Sequence, residues 1–177
     1  MIQDEITACR LCAERFRTTA TAHAPRPVAW FAPGARVLVA SQAPGLRVHG
    51  SGRPFTDASG RRLRDWMGVT PETFYDSSRV AVVPMGFCFP GYDRHGGDRP
   101  PRRECRATWH ERVFAAMPQV ELVLAIGLYA QDWHLERRAG RVPVHETVLN
   151  WRSILSGEGR HSKVLPLPHP SWRNNSW

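Results

Sequence analysis

Apolar residues in this chain gather into four short, nearly continuous runs: Val37-Leu38-Val39-Ala40, Val80-Ala81-Val82-Val83, Leu122-Val123-Leu124-Ala125-Ile126 and Val164-Leu165-Pro166-Leu167. Each is aliphatic and each ends at Pro, Gly or the sequence Gln-Ala-Pro-Gly, so each predicts a buried strand closed by a turn. Helical patterns lie between them. Residues 2 to 17 set Ile2, Ile6, Cys9, Leu11 and Phe16 among polar neighbours and predict one short helix. The segment Arg61–Met67 predicts another, with Ser59 as N-cap and Gly68 as stop signal, and Thr70-Pro71 reads as the next helix start. Glu104–Met117 and Tyr129–Arg138 predict two more, and residues 144 to 151 a short element. Strands alternating with helices define an α/β fold: a three-layer α/β/α sandwich with a central, mostly parallel four-stranded sheet. A single domain over residues 1–177 is expected, with a C-terminal element truncated after Trp177.

In open α/β sheets ligands bind beyond the carboxyl ends of the strands. Three loops qualify: the turn Ser41-Gln42-Ala43-Pro44-Gly45, the segment Met85–Tyr92, and Pro168-His169-Pro170-Ser171-Trp172-Arg173-Asn174. The glycine-rich stretch Gly50–Gly60 adds one aromatic, Phe55, and one carboxylate, Asp57, beside the first turn. An aromatic face next to an acid suits a flat, polar, ring-shaped ligand. The structural alternatives are a core position for Phe55 and a helix N-cap for Asp57.

Charge narrows the partner. The 177 residues carry a net charge of +8, almost all of it arginine, since Lys163 is the sole lysine. A basic balance favours polyanions, nucleic acid above all. The cluster Arg99, Arg102, Arg103 is a candidate phosphate contact whose affinity would fall with salt. No apolar run approaches a membrane span, and the N-terminus has no signal-peptide pattern, so a cytoplasmic monomer is expected. Four cysteines without an export signal argue against disulfides. Cys9 and Cys12 form a C-x2-C pair; Cys88 and Cys105 follow with sixteen residues between them. Four thiolates could close a site for zinc or an iron-sulfur cluster; four unrelated thiols are the alternative.

The turn Ser41–Gly45, the Gly52-Arg53-Pro54-Phe55 segment and the loop His169-Pro170-Ser171 occur in the order seen in the uracil-DNA glycosylase superfamily, which the chain resembles over most of its length. With its four cysteines it is most similar to the iron-sulfur-cluster bacterial uracil-DNA glycosylases. The resemblance implies a DNA repair enzyme that flips uracil out of uracil-containing DNA and hydrolyses its N-glycosidic bond. It also implies a [4Fe-4S] cluster on Cys9, Cys12, Cys88 and Cys105, with zinc the lesser option. His169 would stabilise the departing base and Asp57 would orient water, while Gln42, Ala43, Phe55, Met85 and Gly86 would surround the uracil. His49, Ser171, Trp172, Arg173, Arg102 and Arg103 would meet DNA, with Trp172 or Arg173 as the wedge. Two departures stand out. Ala43 occupies the place where many members carry a water-positioning Asp or Asn, and Pro84-Met85-Gly86 the region of a uracil-reading Asn. Asp57, in Phe55-Thr56-Asp57, would supply the missing acid. The alternatives are covalent capture of DNA through a histidine such as His95, or a catalytically silent DNA-binding domain.

Overall fold

A computed structural model describes residues 1–137, 142–157, 159–171 and 174. Four strands form one all-parallel sheet in the order β2-β1-β3-β4: β1 (Val37–Ala40), β2 (Val80–Val82), β3 (Leu122–Ile126) and β4 (Lys163–Leu167). Parallel neighbours need crossover connections, and the intervening segments supply them as helices. The order reverses beside β1, which pairs with β2 on one side and β3 on the other. The crevice at such a reversal is where open α/β sheets hold ligands.

The alternation of strand side chains explains the two cores. Leu38, Ala40, Ala81, Val83, Val123, Ala125 and Val164 point to one face and pack with Trp109, Val113 and Phe114 of α6 (Arg103–Ala115), Ala130 of α7 (Leu128–His134) and Ile6 of α1 (Ile2–Thr7). Val39, Val80, Val82, Leu124 and Ile126 point to the other and meet Leu63 of α4 (Ala58–Met67) and Phe74 of α5 (Pro71–Phe74). Helices on both faces make the expected α/β/α sandwich. Two further helices, α8 (Val144–Leu149) and α9 (Trp151–Ser156), precede β4.

Two local expectations need correction, and one helix was not foreseen. The N-terminal segment is two helices, α1 and α2 (Ala13–Arg17), not one; Cys9 lies in the turn between them and Cys12 is the N-cap of α2. Arg10 braces that turn by donating to the carbonyls of Thr7 at 3.0 Å and Cys9 at 2.8 Å. The stretch after Gly45 is helical over α3 (Leu46–Ser51), which ends at Gly52 with a left-handed φ of 72°. Its last carbonyls are capped by Arg26, which donates to His49 at 2.7 Å. Finally, Asp57 rather than Ser59 caps α4: Asp57 Oδ1 accepts from the Gly60 N–H at 3.1 Å.

Candidate active site

A cavity of about 360 Å³ opens at the carboxyl edge of the sheet. Its walls come from the turn after β1 (Ser41 to Gly45), the end of β2 (Val82, Pro84), the Pro54–Asp57 loop with Ser59 at the start of α4, and His169 beyond β4. Of the residues singled out in the sequence, it brings together Gln42, Ala43, Phe55, Asp57 and His169. The volume lies within the usual range of small-molecule sites. The turn after β1 is fixed from behind, because the Met85 N–H donates to the Ser41 carbonyl at 2.7 Å and the Gly86 N–H to the Gln42 carbonyl at 3.1 Å. The Gln42 side-chain amide is held too, donating to the Arg99 carbonyl at 3.1 Å.

Phe55 reaches the cavity from a left-handed backbone, with φ at 53°. A non-glycine residue there is uncommon, costs about 1–3 kcal/mol and persists only where the surroundings enforce it. Here the enforcement is visible. Its carbonyl accepts from Tyr75 Oη at 2.9 Å and from an Arg64 guanidinium nitrogen at 3.1 Å. Its ring sets an edge against Phe74, with centroids 6.0 Å apart and planes at 88°. Phe55 is therefore partly buried against the core and also walls the cavity.

Asp57 likewise does two things. It caps α4 and it lines the cavity with His169. The protein around His169 lowers its pKa below the ordinary imidazole value; the Asp57 carboxylate opposes that shift and does not cancel it. The ring is thus a neutral hydrogen-bonding group at neutral pH. Its loop is pinned at two carbonyls: Arg62 donates to Ser171 at 2.9 Å and the Asn174 amide to His169 at 2.8 Å.

Other expected site residues lie elsewhere. Met85 is 1% exposed and belongs to the core. It continues the alternation Ala81, Val83, Met85, Phe87 toward one face, while Val82 and Pro84, in the opposite phase, reach the cavity. Gly86 packs under Pro101, whose Cβ would lie 3.1 Å from a Cβ added there. The His49 ring turns inward against His23 and Phe89, with centroids at 5.1 and 6.1 Å, and burial lowers its pKa. His95 lies on an exposed loop, where its Nε2 accepts from Arg94 at 2.9 Å, and does not line the cavity. Arg99, Arg102 and Arg103 join Arg15 around a neighbouring surface cleft of about 580 Å³. Trp172 and Arg173 lie outside the described residues.

The four cysteines, from three separate parts of the chain, line one small cavity behind the active-site turn, together with Gly86, Phe87, Arg102 and Trp109. The Phe87 N–H donates to Cys105 Sγ at 3.3 Å. Burial pushes the Cys88 and Cys105 thiols up to about 12. Among the described residues no three His, Cys, Asp or Glu side chains converge as the ligands of a single ion do.

Several wall residues were not read as site residues from the sequence. Asp98 lines the active-site cavity from the far side of the residue 92–98 hairpin, and Arg47 and Ser59 line it as well. A model of the uracil DNA glycosylase superfamily matches residues 28–177, a span that includes every loop of this cavity. The chain belongs to that superfamily. No helix among the described residues is long and apolar enough to cross a membrane.

Proposed function

We propose that this protein removes uracil from DNA by hydrolysing its N-glycosidic bond, releasing the free base and leaving an abasic site. The observation that carries the reading is the single cavity at the strand carboxyl ends that gathers Gln42, Phe55, Asp57 and His169 from positions far apart in the chain. A base extruded from DNA at a cost of a few kcal/mol of unstacking needs such a pocket. Phe55 supplies a stacking face, a contact worth about 1–3 kcal/mol per base. As the bond breaks, negative charge collects on the base, and the neutral His169 donates a hydrogen bond to it. The Asp57 charge stabilises the positive sugar. The arginine cleft of Arg15, Arg99, Arg102 and Arg103 borders the pocket through the Gln42–Arg99 contact and suits a DNA phosphate track.

The test is multiple-turnover incubation with end-labelled uracil-containing DNA. Alkali-labile breaks at uracil, with no breaks before alkali, are expected of a monofunctional glycosylase. A denaturation-resistant protein–DNA band without turnover would replace the reading by covalent capture, and neither signal would leave a silent DNA-binding domain.

We further infer that Cys9, Cys12, Cys88 and Cys105 hold a [4Fe-4S] cluster. Four soft sulfur donors around one cavity fit the group, and the N–H···S bond from Phe87 is of the kind that supports a ligating sulfur. Ligands of one zinc ion would crowd to about 3.8 Å apart, given a bond of about 2.3 Å. Cluster thiolates bind separate irons and so stand farther apart than the ligands of one ion. With four protein ligands the cluster supplies structure: it would tie the α1–α2 turn to the start of α6 and to the back of the active-site turn. Anaerobic purification should give a protein with broad visible absorption and equal iron and acid-labile sulfide; stoichiometric zinc without sulfide would overturn the inference.

A further inference from the structure

We propose that Asp98 is the general base of this reaction, the carboxylate that takes a proton from the attacking water. The proposal rests on the glycosylase reading above. Ala43 brings no acid to the end of β1, and the described residues give the cavity two carboxylates, Asp57 and Asp98. They differ in what they already do. Asp57 is committed to the Gly60 N–H as a helix cap. Asp98, among the described residues, has no hydrogen bond or ion pair to its carboxylate.

An unengaged acid in a pocket is a functional signal only if its place in the chain is fixed, and the backbone that carries Asp98 is. It bridges to Tyr92 across the hairpin, and the Asp93 N–H donates to the Gly97 carbonyl at 2.8 Å. The turn is braced by Asp93 Oδ1, which accepts from the N–H groups of His95 at 2.8 Å and Gly97 at 3.0 Å. The next residue, Arg99, donates its N–H to Gly91 at 2.9 Å and receives the Gln42 amide on its carbonyl at 3.1 Å. The hairpin is thereby fastened to the residue beside Ala43. A site residue fixed by its own supporting contacts is what catalysis requires. Although Asp98 is exposed as a whole residue, desolvation of its carboxyl group raises its pKa above the ordinary carboxylate value, which makes it a stronger base. The charged or titratable groups sharing its cavity are Arg47, Asp57 and His169.

In the step itself a water oxygen bonds to C1′ of the deoxyribose while its proton passes to Asp98. The C1′–N1 bond breaks, and its electron pair leaves with uracil as an anion met by His169. The proton on Asp98 then returns to solvent or to the released base.

The experiment compares single-turnover uracil release and uracil-DNA affinity for the wild type, Asp98→Asn, Asp98→Ala and Asp57→Asn. Asp98→Asn is expected to lose about 100-fold or more in rate, the scale of a positioned base, with affinity held within about twofold. Asp98→Ala is expected to regain turnover on addition of formate, a small carboxylate that can occupy the vacated place. An Asp98→Asn rate within about threefold of wild type overturns the role of Asp98 and leaves the glycosylase reading standing. Affinity lost in step with rate, or Asp98→Ala without formate rescue, also overturns it by making Asp98 a binding or structural residue. A wild type that releases no uracil overturns the glycosylase reading and this proposal with it.

Discussion

The carbonyl oxygen of Phe55 occupies the space beside Gly60 so closely that a Cβ at residue 60 would sit 1.8 Å from it. Gly60 is fully enclosed in the first turn of α4, and the backbone it touches is the left-handed turn that presents Phe55 to the cavity. The atom in the way is backbone, held by Tyr75 and Arg64, so it cannot rotate aside as a side chain would. Gly60→Ala must therefore displace the Phe55 turn. We expect a loss of about 1–3 kcal/mol in stability, the scale of overpacking, measured by urea unfolding, and a weaker affinity for uracil-DNA. An unchanged unfolding midpoint would show that the turn yields without cost.

Asp57 allows its two roles to be separated. Asn is as good an N-cap as Asp, so Asp57→Asn keeps the bond to Gly60 and removes only the charge, whereas Asp57→Ala also loses about 1 kcal/mol of helix stability. The Asp57 charge raises the His169 pKa against the larger lowering by burial. Removing it should move the His169 titration to still lower pH, read by NMR of the imidazole. A titration that does not move would mean that the two side chains are electrostatically independent.

The strands and their order along the chain were legible because buried parallel strands read as apolar runs. The cavity loops were legible because they follow those runs. Met85 was readable too: extending the period of two from Ala81 through Val83 places it on the core face, and only treating everything after Pro84 as loop hid this. Helix α3 was hidden by its composition, Leu-Arg-Val-His-Gly-Ser followed by Gly52, which resembles a loop; it forms because Gly52 and Arg26 terminate it properly. Asp98 had no signal of its own. Its place in the cavity depends on a hairpin that closes in space and on a side-chain bond between residues 42 and 99.

His169 offers the most direct test of the chemistry. A preorganised donor to a developing anion is worth about 2.7–4 kcal/mol, so His169→Ala should slow uracil release about 100- to 1,000-fold. Stability should change little, because His169 lies on the loop after β4 and belongs to neither core cluster. The single-turnover rate against uracil-DNA affinity decides the matter: a loss confined to affinity would make His169 a binding residue.

Two histidines far from the site should make the fold acid-sensitive. His110 and His134 are each 1% exposed. His110 stacks on Phe87 with centroids 5.3 Å apart and planes at 7°, and His134 packs edge-on against Trp133 at 4.7 Å. Burial, aided by nearby positive charge, pushes the His110 pKa down to about 3 and that of His134 well below its ordinary value. In the unfolded chain both bind a proton below about pH 6.5. The folded protein does not bind one at His110 until about pH 3, so between these limits the unfolded state holds more protons. Stability then falls with falling pH by up to about 1.4 kcal/mol per pH unit for each histidine, and the contribution is fully present above pH 6.5. Replacing His110 by Leu should flatten the fall measured by urea unfolding between pH 7 and pH 5, whatever the substitution does to stability at pH 7. Parallel curves for the variant and the wild type would show that His110 does not set the acid limit.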